Sequence, residues 1–298
     1  MDTKFTAKSL HAVDIHREKY LRRCQKYMTA PCRKFADSLT LTCVDLRHQS
    51  LGYYSLKVIC GTINTNIFIK ELILKGNRVD DRLSIDLYRL LRNNSHLKAI
   101  DLSDNQLSNK GFEKIGDGLE ENNTLLKLNL SGNKPLGEGI IHLSHSLATN
   151  FSLTHLSLAS NGIGDTVFFH ISNMVASTSN IQRLDLSWNK ITILSTSAME
   201  RMIRLNDSLV ELNLAWNGLK DIGFNSFCSI LLNKKKCSLE IINVSHNSLT
   251  QKSSKSLLRL VQCDWLVSLD LTGNSFDSGY ILEIQDMVNS RPNFQFLV

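Results

Sequence analysis

Apolar and polar residues alternate along this chain in short stretches that return every 28 residues. In Leu156-Ser157-Leu158 and Leu184-Asp185-Leu186 the alternation has period two, which predicts short strands with one face buried. After each such stretch the apolar spacing widens to four. Val79, Leu83, Leu87 and Leu91 form one series, and Leu107, Gly111, Ile115 and Leu119 the next. Ile163, Val167, Ile171 and Val175 follow the same rule, as do Leu249, Ser253, Leu257 and Val261. This spacing predicts a helix, and a 28-residue unit has room for about three helical turns plus loops. An amide residue sits between strand and helix: Gln49, Asn77, Asn105, Asn133, Asn161, Asn189, Asn217, Asn247 and Asn274. The steps between them are 28 residues six times, then 30, then 27.

Helical crossovers force successive strands to pair in parallel. Helices need ~10 Å of lateral room and strands only ~4.8 Å, so the stack must curve with its sheet inside. The prediction is an α/β solenoid over residues 41–298. It is a horseshoe segment of about nine repeats, with a concave parallel sheet and convex helices. The asparagine turns the chain inward, and its side-chain amide is expected to satisfy backbone groups exposed by the bend, so that stacked copies form a ladder. Gln49 departs from that rule at the ladder's first position.

Two copies look irregular. In Asn133-Lys134-Pro135-Leu136 the apolar anchor is read as Leu136, one residue late. The stretch Leu232-Asn233-Lys234-Lys235-Lys236-Cys237 carries two extra residues, and its lysines are read as a solvated loop on the rim. A closing strand is expected at Phe294–Phe296. Residues 1–40 are expected to cap the other end, with one helix over Ala12–Met28, a stop at Pro31 and a short helix over Arg33–Leu39.

The frame L-x-x-L-x-L-x-x-N-x-L, carried for example by Leu97, Ile100, Leu102, Asn105 and Leu107, resembles the ribonuclease-inhibitor-like leucine-rich repeats. That resemblance implies an open surface for binding proteins. The string Tyr20-Leu21-Arg22-Arg23-Cys24, followed by Pro31, Phe35, Leu39 and Val44-Asp45-Leu46, is similar to the N-terminal cap of centrosomal and ciliary leucine-rich-repeat proteins. It implies a cytoskeletal, centrosomal or axonemal setting.

Charge is unevenly placed. Of the net +6, residues 1–40 hold nine Lys/Arg against four Asp/Glu, and the other 258 residues hold 25 against 24. A nearly neutral solenoid argues against nucleic acid as partner. The basic cap, with Arg22, Arg23, Lys26, Arg33 and Lys34, suits an acidic surface such as tubulin. No apolar run reaches the ~18 residues of a membrane helix, and the N-terminus shows no secretory leader. Seven cysteines at irregular spacing read as reduced thiols, with Cys60 and Cys228 buried, which points to the cytoplasm.

The residues beside the strand leucines should face the concave side. The central row runs Asp45, Ile73, Asp101, Asn129, Ser157, Asp185, Asn213, Asn243 and Asp270; the row before it includes Lys127, His155, Arg183 and Glu211. Asp101, Asp185, Asn213, Asn243 and Arg183 are the candidate polar contacts. Trp188 and Trp216 precede the ladder asparagine in adjacent repeats, so their indoles should lie about 5 Å apart, with His246 extending the stripe. Exposed tryptophans are frequent binding hot spots. No phosphate loop, catalytic triad order or paired-carboxylate motif is present, so no catalytic residue, cofactor or metal site is assigned. The expected function is non-catalytic protein binding, as a scaffold or adaptor. The rival is regulation of an enzyme, either as an inhibitor or as a GTPase activator using Arg47; a pathogen effector is a third reading.

Overall fold

The computed structural model describes residues 7–298 apart from 290, 292 and 293. Residues 1–6, part of the stretch read for a leader, lie outside them. Ten strands form one sheet in strict chain order, every neighbour parallel. They are β1 (Cys43–Asp45), β2 (Glu71–Ile73), β3 (Ala99–Asp101), β4 (Lys127–Asn129), β5 (His155–Ser157), β6 (Arg183–Asp185), β7 (Glu211–Asn213), β8 (Ile241–Asn243), β9 (Ser268–Asp270) and β10 (Gln295–Leu297). Helices α1 (Ala7–Lys26) and α2 (Arg33–Ala36) come before the sheet. The crossovers carry α3 (Tyr53–Ile63), α4 (Ser84–Asn93), α5 (Asn109–Glu121), α6 (Glu138–Leu147), α7 (Asp165–Ser177), α8 (Thr196–Leu205), α9 (Lys220–Leu232), α10 (Ser254–Val261) and α11 (Ser278–Val288). This is the predicted leucine-rich solenoid.

Strands β1 to β9 each bury the central residue and leave the flanking two on the open face, as with Ile100 between Ala99 and Asp101, whereas Phe296 in β10 is only partly buried. The register pairs equivalent residues of successive repeats, such as Lys127 with His155 and His155 with Arg183. The leucines form a continuous core that reaches Tyr20, Cys24, Phe35 and Leu39 ahead of the sheet. Tyr20 is fully buried against Phe35, with ring centroids 4.9 Å apart, and its hydroxyl accepts the Cys32 amide at 2.8 Å.

Three side-chain ladders hold the turns. In the inner one, Asn105 Oδ1 accepts the amides of Asn77 (3.0 Å) and Val79 (2.9 Å). Its Nδ2 donates to the carbonyls of Leu74, Leu102 and Ser103. A second ladder, on the outer turn, consists of Asn66, Asn94, Asn122, Asn150 and Asn206, again in multiples of 28. Asn150 donates to the carbonyls of Leu119 and Asn122, both at 2.8 Å, and accepts the amides of Ser152 and Leu153. The third ties several helix starts to the next repeat. Asp81 receives Ser108 and Gly111, Asp165 receives Thr192 and Ser195, and Asp221 receives Thr250 and Ser253.

Two expectations change. Pro135, not Leu136, fills the anchor position under the turn, and Leu136 is 87% exposed. The proline has no amide to give Asn161 Oδ1, which accepts the Asn133 amide at 3.0 Å; elsewhere the equivalent N–H is used, as Val79 gives it to Asn105. The second correction concerns Lys234, which is no solvated lysine. It stands 28 residues after Asn206, its side chain is only 10% exposed, and its ammonium donates to Ile203 O (2.7 Å) and Asn206 O and pairs with Asp207 (2.8 Å). Its three donors reproduce the donor half of the ladder amide's role, bonding the two carbonyls, but an ammonium accepts nothing. The two extra residues therefore fall between Lys234 and β8.

Candidate protein-binding face

The turn after each strand places the residue before the ladder asparagine in left-handed backbone. The positions are His48, Gly76, Asp104, Gly132, Ser160, Trp188, Trp216, His246 and Gly273, with φ between 52° and 68°. The cause is the repeat itself. The amide at this position donates to the next repeat, as in Trp188 N to Ala215 O and Trp216 N to Ser245 O, both 2.9 Å. The left-handed φ then turns the following amide towards the next ladder asparagine, as with Asn77 N to Asn105 Oδ1 at 3.0 Å. Glycine accepts that φ without penalty and occupies three of the nine places, whereas other residues give up roughly 1–2 kcal/mol.

Trp188, Trp216 and His246 sit there nonetheless and form one stack. The indoles are 4.1 Å apart and tilted by 13°; Trp216 and His246 are 3.9 Å apart at the same tilt. Trp188 remains 54% exposed and Trp216 41%. Towards the C-terminus the stack ends at Gly273, whose missing side chain leaves the space that the His246 ring enters. Towards the N-terminus it ends at Ser160.

The central polar row has a structural duty. Asp101, Asp185, Asn213 and Asn243 each accept the amide two residues on, at 2.8–3.0 Å, closing the turn after the strand. Asp185 also takes the Ser157 hydroxyl at 3.0 Å, and Ser157 meets Ser131 at 2.6 Å. Asn243 donates to Asp270. Each of these residues thus offers a partner only what its turn leaves over. In the neighbouring row Arg183 pairs with Glu211 at 3.2 Å. His155 lies in register between Lys127 and Arg183. Burial, then those two cations, push its pKa below the ordinary imidazole value. These rows line an open groove of about 320 Å³ on the sheet.

The basic residues of the cap have different surroundings. Arg22 is tied to Glu18 at 2.6 Å and Arg33 to Asp37 at 3.7 Å. Arg23 instead lies over Gly61, lining a cleft with Lys57, Asp86 and Arg89. Lys26 lies near the Tyr27 ring, and Lys34 is exposed. Arg47 pairs with Asp45 at 2.9 Å. Sequence reasoning found the tryptophan pair from its spacing. It placed His155 in the row between Lys127 and Arg183 but gave it no role. It missed the outer asparagine ladder, which the recurrence of Asn66, Asn94, Asn122, Asn150 and Asn206 could have revealed.

Five segments, residues 93–116, 121–139, 149–166, 179–192 and 205–228, match the leucine-rich repeat family model. Over 112 residues the chain is 27% identical to the protein phosphatase 1 regulatory subunit 37 homolog of Caenorhabditis elegans. The match takes in 36% of this chain and 12% of that protein, so the chain spans about an eighth of its relative's length. Among solved structures, actin-binding site 2 of leiomodin-1 overlaps 50% of this chain and 90% of its own, at 20% identity and a TM-score of 0.43. The tropomodulin C-terminal domain of Caenorhabditis elegans overlaps 55% and 92%, at 10% identity and the same TM-score. Five family matches at repeat spacing, on a sheet built from one strand per repeat, establish leucine-rich repeats within residues 93–228 and a leucine-rich-repeat solenoid as the fold.

Proposed function

We propose that this chain is a non-catalytic scaffold that binds a protein along its concave face, with Trp188, Trp216 and His246 as the anchor. One observation carries the reading. Three rings occupy backbone positions that favour glycine, and two of them stay largely exposed. Strain kept where the fold gains little from it points to use. Indoles bring large contact area at low conformational cost, which makes them effective hot spots. The polar row and Arg183 form the rim of the contact.

Affinity capture from cell extract, with wild type against Trp188→Gly/Trp216→Gly, tests the reading. Glycine is the native residue at three equivalent turns, so this variant keeps the fold. Specific partners bound by the wild type and lost from the variant support it; an unchanged set of partners refutes it.

The phosphatase-regulator relative favours a second reading, in which the bound protein is an enzyme and the scaffold regulates it. A phosphatase 1 assay with and without this chain separates the two: altered turnover supports regulation, and no association removes it. The setting we propose is cytoskeletal, from the cap sequence around Tyr20 and Cys24. Microtubule co-sedimentation with Arg22, Arg23, Lys26, Arg33 and Lys34 neutralised tests tubulin as the acidic surface. Unchanged pelleting, or none by the wild type, rules it out.

A further inference from the structure

The aromatic stack is closed at one end and open at the other. His246 lies against Gly273, but the outer face of Trp188 looks along the ladder towards Ser160 and Gly132. Neither residue has a side chain large enough to cover an indole. The next position, Asp104, carries a carboxylate. Its Oδ1 leans over Gly132 into the space a Cβ would take, and its Oδ2 pairs with Lys75 at 3.1 Å. Asp104 and Ser160 are both exposed. Three strand spacings, roughly 14 Å at ~4.8 Å each, separate the backbones of Asp104 and Trp188. The result is a trough with an indole face as one wall, a carboxylate as the other and two small residues as floor.

Both walls attract positive charge: the indole through the negative face of its π-system, the carboxylate directly. The indole also selects for shape. A flat group continues the ladder at the spacing already set by Trp188, Trp216 and His246. Guanidinium is both flat and cationic, it is weakly hydrated, and it stacks on indoles more readily than a compact ammonium does. A phenyl or prolyl ring would stack but gain nothing from Asp104.

We infer that the trough between Asp104 and Trp188 takes an arginine side chain of the bound protein, stacked on Trp188 as a fourth rung of the aromatic ladder. This rests on the proposed binding role of the concave face and names the chemistry that face selects. Lys75 competes for Asp104 in the free protein, so arginine binding releases it. Affinity should therefore rise, not fall, when Lys75 is replaced by alanine.

The test is a random dodecapeptide library displayed on phage and selected on the intact chain, with counter-selection on Trp188→Gly. The expected result is enrichment of peptides that share an arginine. Their affinity should fall at least tenfold with Trp188→Gly and at least tenfold when that arginine is replaced by citrulline, which keeps the shape and loses the charge. Asp104→Asn should weaken them several-fold. Enriched peptides that depend on Trp188 but carry aromatic or prolyl residues in place of arginine overturn this inference and leave the proposed face intact. Peptides indifferent to Trp188 and Trp216, or no enrichment over the Trp188→Gly counter-target, overturn both.

Discussion

Replacing Asn150 with alanine tests the outer ladder, the part of the architecture least visible in the repeat motif. Asn150 is 2% exposed and makes four hydrogen bonds to backbone groups of two repeats. Alanine removes all four. The amide of Leu153 then remains buried without a partner, the Leu119 carbonyl keeps only the Asn122 amide (3.3 Å) and the Asn122 carbonyl only the Ser152 hydroxyl (3.4 Å). A net hydrogen bond is worth about 1 kcal/mol and an orphaned buried amide at least as much, so four lost bonds should cost about 3 kcal/mol. Asn123, an exposed neighbour in the same turn type, is the control; Asn123→Ala should stay within about 0.5 kcal/mol of wild type. Urea unfolding followed by circular dichroism measures both. Because a solenoid is stabilised through nearest neighbours, the Asn150 variant should also broaden the transition as the units flanking the break uncouple. A loss below about 1 kcal/mol for Asn150→Ala, or equal losses at both sites, would refute the reasoning.

Three further outcomes follow from the geometry. Trp188→Gly should change stability by no more than about 1 kcal/mol, because relief of the left-handed strain offsets the lost stacking and the freer unfolded chain; urea midpoints check this. Burial works against the Asp221 carboxylate, but bonds from Ser253 and Thr250 outweigh it and hold its pKa below the usual range. A depressed carboxyl contributes stability above its unfolded pKa of ~3.9 and loses it as pH falls through the folded value. The stability gap between wild type and Asp221→Ala, about 1 kcal/mol as for a helix cap, should thus be constant above pH ~5 and shrink below pH ~4. Asp86 is the opposite case. Burial raises its pKa despite the opposing pull of Lys57 and Arg89, and its Oδ2 is buried without a partner. A raised carboxyl gives its contribution below the unfolded pKa and loses it as pH rises, so Asp86→Asn should be more stable than wild type at pH 7, with the advantage fading towards pH 3.

The fold was legible because each rule was repeated many times. Period-two leucines, period-four helix faces and the asparagine column agree in every unit, so a single irregular copy could not hide the architecture. What escaped was the meaning of deviations. Pro135 was passed over as an anchor because proline is read as a breaker, yet the register of Leu107 required an apolar group there and only packing revealed it. Lys234 was hidden by its neighbours Lys235 and Lys236, since a charge run says nothing about which member turns inward. The site was legible in part. Spacing alone brought Trp188, Trp216 and His246 together, but their left-handed backbone and the bare floor at Gly132 and Ser160 emerge only from the turn geometry. The polar row was misjudged in emphasis: Asp101, Asp185, Asn213 and Asn243 first close their own turns, a local duty that a face-by-face reading of a strand does not register.

The most direct test of the account is hydroxyl-radical footprinting of the chain alone and in complex with a captured partner. The account predicts that Trp188, Trp216 and His246 lose oxidation in the complex while exposed convex and rim residues such as Phe151 and Leu205 keep theirs. Protection confined to the helical face or to residues 15–40, with the two indoles still oxidised, would contradict it.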